Sequence, residues 1–200
     1  MSLQLLESTH QYYLNGKELI AVTYAFEKIG ITAFSKIPFE IIEPAKIRGD
    51  YVHEIAELYG KNLLDESSVE GELIGYLKGI KKFFAENVKT VIEIETPVYD
   101  LAWRYAGTPD LIYLNFDNEL CLDDFKTPLK IHPATKWQTA AYANAYQKMT
   151  KQKIHKRHGV MLRGNGTYFL DHNKNPLRRD FNDFMTILRA ALLKIDNKIK

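Results

Sequence analysis

Two periodicities alternate along the chain. From Tyr12 to Val22 the pattern predicts a small hairpin turning at Asn15-Gly16, because this dipeptide tolerates the positive φ angles of a tight turn. From about Pro44 to Tyr59 a helix is expected, ended by Gly60, with Tyr51, Val52, Ile55, Leu58 and Tyr59 on one stripe. A second helix is expected from about Gly71 to Ala85, where Leu73, Leu77, Ile80 and Phe84 recur at spacings of 4, 3 and 4. The residue types then become β-branched and aromatic. They predict one strand over Val91 to Tyr99, another over Tyr105 to Phe116, a turn at Asp117-Asn118, and a third over Glu119 to Phe125 with Leu120 and Leu122 on one face. A helix with Pro133 in its first turn follows, burying Trp137, Ala141, Ala145 and Met149. Strands at His158 to Leu162 and Thr167 to Leu170 are joined through Gly164-Asn165-Gly166, and a last helix from about Arg178 to Lys194 buries Phe181, Phe184, Leu188, Leu192 and Ile195.

A helix between the third strand and the next implies a parallel neighbour, and the whole order predicts an α/β fold with a mixed sheet. A length of 200 residues fits one domain over 1–200. Within it, 1–30 form an N-terminal hairpin region, 44–142 a core and 156–200 C-terminal strands and a helix. There is no repeat and no Pro-, Gly- or Ser-rich linker. With 46% hydrophobic and 26% charged residues, a disordered or collagen-like chain is excluded. No apolar run approaches the ~18 residues of a membrane span. Residues 1–7 lack the basic start and apolar stretch of a signal peptide. The single cysteine, Cys121, forms no internal disulfide, so a reducing cytoplasm is the expected location. The balance of 27 basic against 25 acidic side chains excludes binding of polyanions by bulk charge, so contact with DNA requires a local basic patch.

The segment that carries chemistry is Gly107-Thr108-Pro109-Asp110, followed after thirteen residues by Asp124-Phe125-Lys126-Thr127. Asp124 and Lys126 lie two apart on a strand and share a face, while Phe125 turns to the other. The turn at Asp117-Asn118 folds Asp110 back towards them. Two carboxylates suit a hard cation such as magnesium or manganese, which activates water and polarises a phosphoryl oxygen. An ammonium group beside them can align that water or offset developing charge. Taken alone, Asp124 and Lys126 also read as a solvated pair on an edge strand, with Asp110 capping a turn; the strand–turn–strand context favours a site.

These residues resemble the PD-(D/E)XK nuclease motif. The longer run Tyr105-Ala106-Gly107-Thr108-Pro109-Asp110-Leu111-Ile112, with Leu122-Asp123-Asp124-Phe125-Lys126-Thr127, is similar to the RecB-like exonuclease branch. The resemblance implies a restriction-endonuclease-like mixed β-sheet core flanked by helices. It implies a metal-dependent DNA nuclease, an exonuclease, using magnesium or manganese. Asp110, Asp124 and the Phe125 carbonyl would hold the metal, and Lys126 would be the catalytic lysine. Arg48-Gly49-Asp50-Tyr51-Val52-His53 matches the R-G-x-x-x-H element, which makes His53 a ligand and Arg48 a structural or phosphate-binding side chain. The small residues Gly49 and Ala56 would let this helix approach the sheet. Gln138-Thr139-Ala140-Ala141-Tyr142 matches Q-x-x-x-Y, so Gln138 and Tyr142 would steady the site or touch the DNA backbone. Glu95 is a further candidate ligand. Asp123 points to the opposite face and is not counted.

For DNA contacts the candidates are the basic run Lys148, Lys151, Lys153, Lys156, Arg157 and Arg163, and the pair Trp103 and Arg104. Some RecB-like relatives carry four cysteines for an iron–sulfur cluster; with one cysteine no cluster is expected here. No helicase motif is present, which implies a stand-alone nuclease of the compact kind found in phages and mobile elements. DNA is the expected partner, together with a recombination or replication protein. A structure- or sequence-specific endonuclease on the same fold, and a non-catalytic DNA-binding or assembly module, are the alternative readings.

Overall fold

Two sheets meet at a seam, and the chain crosses that seam between strands. The computed structural model describes residues 3–6 (as backbone), 11–32, 38–128, 130–173 and 175–199. Among these residues there are two five-stranded sheets. The first has the order β1 (Leu3–Leu6), β2 (Gln11–Leu14), β3 (Lys17–Ala21), β6 (Tyr105–Gly107), β5 (Val98–Asp100). The second has the order β10 (Tyr168–His172), β9 (Lys156–Leu162), β8 (Leu120–Lys126), β7 (Leu111–Leu114), β4 (Thr90–Ile94). The helices are α1 (Val22–Lys28), α2 (Phe39–Gly60), α3 (Leu73–Asn87), α4 (Thr135–Thr150) and α5 (Leu177–Asp196). None of the described helices is long and apolar enough to cross a membrane.

Both sheets are mixed. β3 runs parallel to β6, and β8 runs parallel to β9 with α4 as the intervening crossover, as the sequence predicts. The hairpin turns at Asn15 (φ 51°) and Gly16 (φ 76°), the two positive angles that Asn-Gly supplies. The predicted hairpin ends one residue too late, since Val22 opens α1.

Two predicted strands are each broken in two. Val91 to Tyr99 divides into β4 and β5, and Tyr105 to Phe116 divides into β6 and β7. Both breaks contain a proline, Pro97 or Pro109, which offers no N–H to a sheet ladder. At each break the chain leaves one sheet and joins the other. Glu95 turns the first corner at φ 48°.

The second sheet is covered on both faces. On one side α2 and α3 pack Val52, Ile80 and Phe83 against Leu111, Tyr113, Phe125 and Val160. On the other, α1, α4 and α5 pack Phe26, Ala141, Phe184 and Leu188 against Ile112 and Leu122, and against Tyr105 of the first sheet. Alternate residues of β7 and β8 thus enter different cores, which is why β8 is buried from Leu120 through Phe125. Several predicted stripes shift. α2 begins at Phe39, so Pro44 lies inside it, and Tyr51 is exposed rather than packed. In α4, Trp137 is half-buried and Met149 exposed, while Gln138 through Ala143, Ala145 and Tyr146 are buried. A crossover helix pressed against both sheets loses the single apolar stripe that a surface helix shows. In α5 the buried face is Phe184, Ile187, Leu188 and Ala191, with Phe181, Leu192 and Ile195 only partly covered.

Candidate active site

The two corners where the chain changes sheet touch each other. The Glu95 N–H donates to the Asp110 carbonyl at 3.1 Å, which joins the β4–β5 corner to the β6–β7 corner. Asp110 lies one step beyond the Leu111–Asp123 pair of β7 and β8, opposite Asp124. One Asp110 oxygen, Oδ2, accepts the backbone N–H of Phe125; the other, Oδ1, lies 3.2 Å from His53 Nδ1. His53 projects from the middle of α2, with its ring edge-on to Phe125 at 6.5 Å. Glu95 Oε1 lies 3.9 Å from the same His53 nitrogen. A left-handed backbone is costly for a non-glycine residue, of order 1–3 kcal/mol, and here it aims the Glu95 carboxylate at His53 rather than along the sheet. One ligand atom each from His53, Glu95 and Asp110 lies within 4.8 Å of the others. Asp124 is 2% exposed and ion-paired with Lys126, whose side chain reaches solvent.

Gln138 and Tyr142 arrive from α4 on the Asp124 side of the sheet. Both are buried, and Gln138 Nε2 donates to the Tyr142 hydroxyl at 3.0 Å. The Tyr142 ring lies over Gly107, where a Cβ would come within 2.2 Å of Cε1, so only glycine fits there. Arg48 lies more than one turn of α2 before His53. Its Nη1 is 3.9 Å from Glu72, and its buried Nε has no hydrogen-bond partner among the described residues. A Cβ at Gly49 would sit 3.6 Å from Thr127 Oγ1, an ordinary contact, so α2 reaches the end of β8 without requiring glycine at that point.

Charge in this cluster is not balanced pair by pair. Burial opposes ionisation of His53, but the Asp110 carboxylate 3.2 Å away, and more weakly the Glu95 carboxylate 3.9 Å away, outweigh it and raise the imidazole to about 10. Burial pushes Glu95 up to about 7, against the pull of the nearby His53 imidazole. Burial also pushes Asp124 up to about 6, opposed by Lys126 and aided by Asp110. Asp110 is held below the usual carboxylate range by His53 and Lys126 despite its burial. Lys126 is raised, because Asp124 and Asp110 overcome the cost of burying its charge. Among the described residues three acids thus share two monovalent cations, and two of the acids are reluctant to ionise. The donor set, one imidazole nitrogen and carboxylate oxygens, fits a hard divalent cation, and such a charge would allow all three acids to ionise.

No protein-family model and no curated protein sequence matches the chain. Among solved structures the chain matches the crystal structure of a "putative exonuclease" from Eubacterium rectale, with a TM-score of 0.57, 12% identity, and coverage of 100% of this chain and 89% of that one. At this identity the likeness is one of fold: a nuclease-like α/β architecture of mixed sheets flanked by helices.

The expected DNA-contacting residues divide. Arg157 is corrected outright. It is 7% exposed, and its guanidinium donates to Asp180 Oδ2 at 2.8 Å, to Thr139 Oγ1, and to the Lys136 and Asn175 carbonyls. Alternation on β9 turns its side chain under α4 and α5, where both terminal nitrogens of the guanidinium are already bonded within the fold. Lys148 pairs with Asp100 at 2.6 Å, and Lys156 with Glu119 at 2.5 Å. Lys151 and Lys153 are exposed, in the loop that leads into β9. Because Cys121 pairs with Lys156 and Lys126 with Met161, that loop lies at the far end of β8. Five strand residues separate Lys126 from it, about 17 Å. Arg163 is exposed just past β9, at the Lys126 end. Trp103 and Arg104 are exposed in the β5–β6 turn, with Arg104 3.9 Å from Asp196.

One pair of residues beside the site escaped the sequence reading. Tyr12 of β2 and Thr108 share a hydrogen bond at 2.9 Å, next to the Asp110 corner. The available signal was the inward position of Tyr12 in the hairpin, alternating with Leu14, which marks it as buried but not as near the acids.

Proposed function

We propose that the protein is a divalent-metal-dependent deoxyribonuclease, an exonuclease of the RecB-like branch of the PD-(D/E)XK nucleases. The observation that carries this reading is the convergence of His53, Glu95, Asp110, Asp124 and Lys126 where the two sheet corners, α2 and the end of β8 meet. The name of the structural neighbour, a "putative exonuclease", supports a nuclease reading.

In this reading His53, Asp110, Asp124, the Phe125 carbonyl and Glu95 hold one or two magnesium or manganese ions. When bound, such an ion polarises a phosphoryl oxygen and acidifies a neighbouring water. The chain's own groups do the rest. Lys126, kept protonated by Asp124 and Asp110, donates hydrogen bonds that orient the attacking water and offset negative charge on the phosphate. Asp124 fixes the direction of that ammonium group. The Phe125 N–H holds one Asp110 oxygen and leaves the other facing His53. Gln138 and Tyr142, bonded to each other, wall the Asp124 side against disorder and water. Arg48, a partly exposed side chain on α2 whose Nε has no partner among the described residues, binds a substrate phosphate.

Purified protein, incubated with end-labelled linear, nicked and single-stranded DNA with and without manganese, is expected to release nucleotides from ends only when metal is present. Lys126→Ala and Asp110→Asn are each expected to abolish release. Cleavage retained in both variants contradicts the assignment. Cutting of covalently closed circles replaces the exonuclease reading with an endonuclease. Absence of manganese binding by calorimetry favours a non-catalytic DNA-binding module.

A further inference from the structure

We infer that Tyr12 is a positioning residue for this site: through Thr108 it holds the β6–β7 corner so that Asp110 faces His53 and Glu95. The inference rests on the reading of these residues as a metal-binding nuclease centre.

The corner Thr108-Pro109-Asp110 leaves one sheet and enters the other, so neither ladder continues through it. It is held instead from its neighbours. Behind it the Tyr142 ring packs on Gly107. Ahead, Asp110 is bound by the Phe125 N–H and faces His53. Between these, Thr108 is held by the Tyr12 hydroxyl, a contact spanning 96 residues of sequence. The anchor is itself rigid. Tyr12 is 6% exposed and pairs across the hairpin with Leu19, while the next residues of β3, Ile20 and Ala21, pair with Tyr105 and Ala106 of β6. The first sheet therefore supplies a fixed point two residues from Asp110.

The phenol also lies within electrostatic reach of the acids. Burial raises its pKa, the Thr108 hydrogen bond works the other way, and the charge of Glu95 raises it further. Tyr12 accordingly remains a neutral hydroxyl at any working pH, and the hold on Thr108 does not vary with it. A hydrogen bond that fixes the direction of one ligand affects metal binding and the chemical step more than it affects the fold, because misplacing a reacting group by a fraction of an ångström lowers rate without unfolding anything.

The test uses the full-length protein with Tyr12→Phe, Thr108→Val, the double variant and Thr108→Ser. Manganese affinity is measured by calorimetry, and kcat and KM on end-labelled linear DNA. Tyr12→Phe and Thr108→Val are each expected to weaken manganese binding and lower kcat by roughly tenfold, with KM within about twofold, the scale of one positioned hydrogen bond. The double variant should be no worse than either single one, and Thr108→Ser, which keeps the hydroxyl, should recover what Thr108→Val loses. Wild-type manganese affinity and kcat in Tyr12→Phe overturn the inference, as do single-variant losses that multiply in the double variant. If the wild type cleaves no DNA yet binds manganese, and Tyr12→Phe weakens that binding, the nuclease reading fails while the positioning role stands. A wild type that binds no manganese overturns both.

Discussion

Two groups of buried charge lie near opposite ends of β8, and they are arranged on opposite principles. Arg157 and Asp180 form a closed set. The guanidinium has four acceptors, and Asp180 uses its second oxygen to accept from Asn175. Each charge has an opposite partner, and the surrounding polar atoms are occupied. At the other end of the strand, among the described residues Asp110, Asp124 and Glu95 face the cations His53 and Lys126, and burial drives Asp124 and Glu95 upward. The first arrangement holds α4 and α5 to β9. The second stores unfavourable interactions that a further cation would relieve. Matching is what buried structural charge requires, and a shortfall of positive charge marks a place prepared for a ligand.

The sharpest way to break this contrast is to remove one partner of the closed set. Arg157→Ala leaves Asp180 buried and unpaired, and is expected to cost about 3–5 kcal/mol in urea unfolding. A loss under about 1 kcal/mol would mean that the set is not closed in solution. The opposite result is expected from Asp124→Asn. It removes a negative charge from an over-acidic cluster, so the metal-free protein should unfold at the same or a higher urea concentration. Metal-dependent cleavage should fall by at least about 10²-fold, since a proposed metal ligand is lost. Stability and activity moving apart at Asp124 but stability alone falling at Arg157 is the signature of the two arrangements.

Smaller effects concern protons. An imidazole must give up its proton to bind a metal, whereas His53 is held protonated up to about 10 in the metal-free site. Manganese binding should therefore release protons and tighten as pH rises from 6 to 8. Calorimetric heats that do not depend on the ionisation enthalpy of the buffer would count against this. The metal-free protein should behave in the reverse sense. Glu95 at about 7 and Asp124 at about 6 lie above their unfolded values, so the unfolded chain gives up those protons first. Stability should fall as pH rises from the ordinary carboxylate range through 7. His53 extends the fall: its unfolded form loses the proton near 6.5 and its folded form near 10. Thermal melts between pH 5 and pH 9 without metal should thus decline steadily, and added manganese should flatten or invert the trend.

Much of this molecule is legible in one dimension because the relevant physics is local. Asn15-Gly16 sets its turn through backbone angles available to those two residues. The spacing of Leu77, Ile80 and Phe84 predicts α3, and all three are buried in it. Asp124 and Lys126 share a face because strand side chains alternate, and their ion pair follows. Pro97 and Pro109 were visible too, yet their consequence was missed. A proline weakens a strand locally, but whether the chain then resumes in the same sheet or another depends on what else needs covering.

Composition and pattern were sufficient for the mixed α/β class, for the α4 crossover with its parallel neighbour, and for the acid–acid–lysine spacing. Folding in three dimensions was needed to bend the chain twice across the seam, which brings Glu95 and Asp110 together, sets Tyr12 against Thr108, and withdraws Arg157 from solvent into its pairing with Asp180. The reason is common to all three cases. Burial and the sign of neighbouring charge belong to distant residues that meet only after folding, and no periodicity along the chain records them.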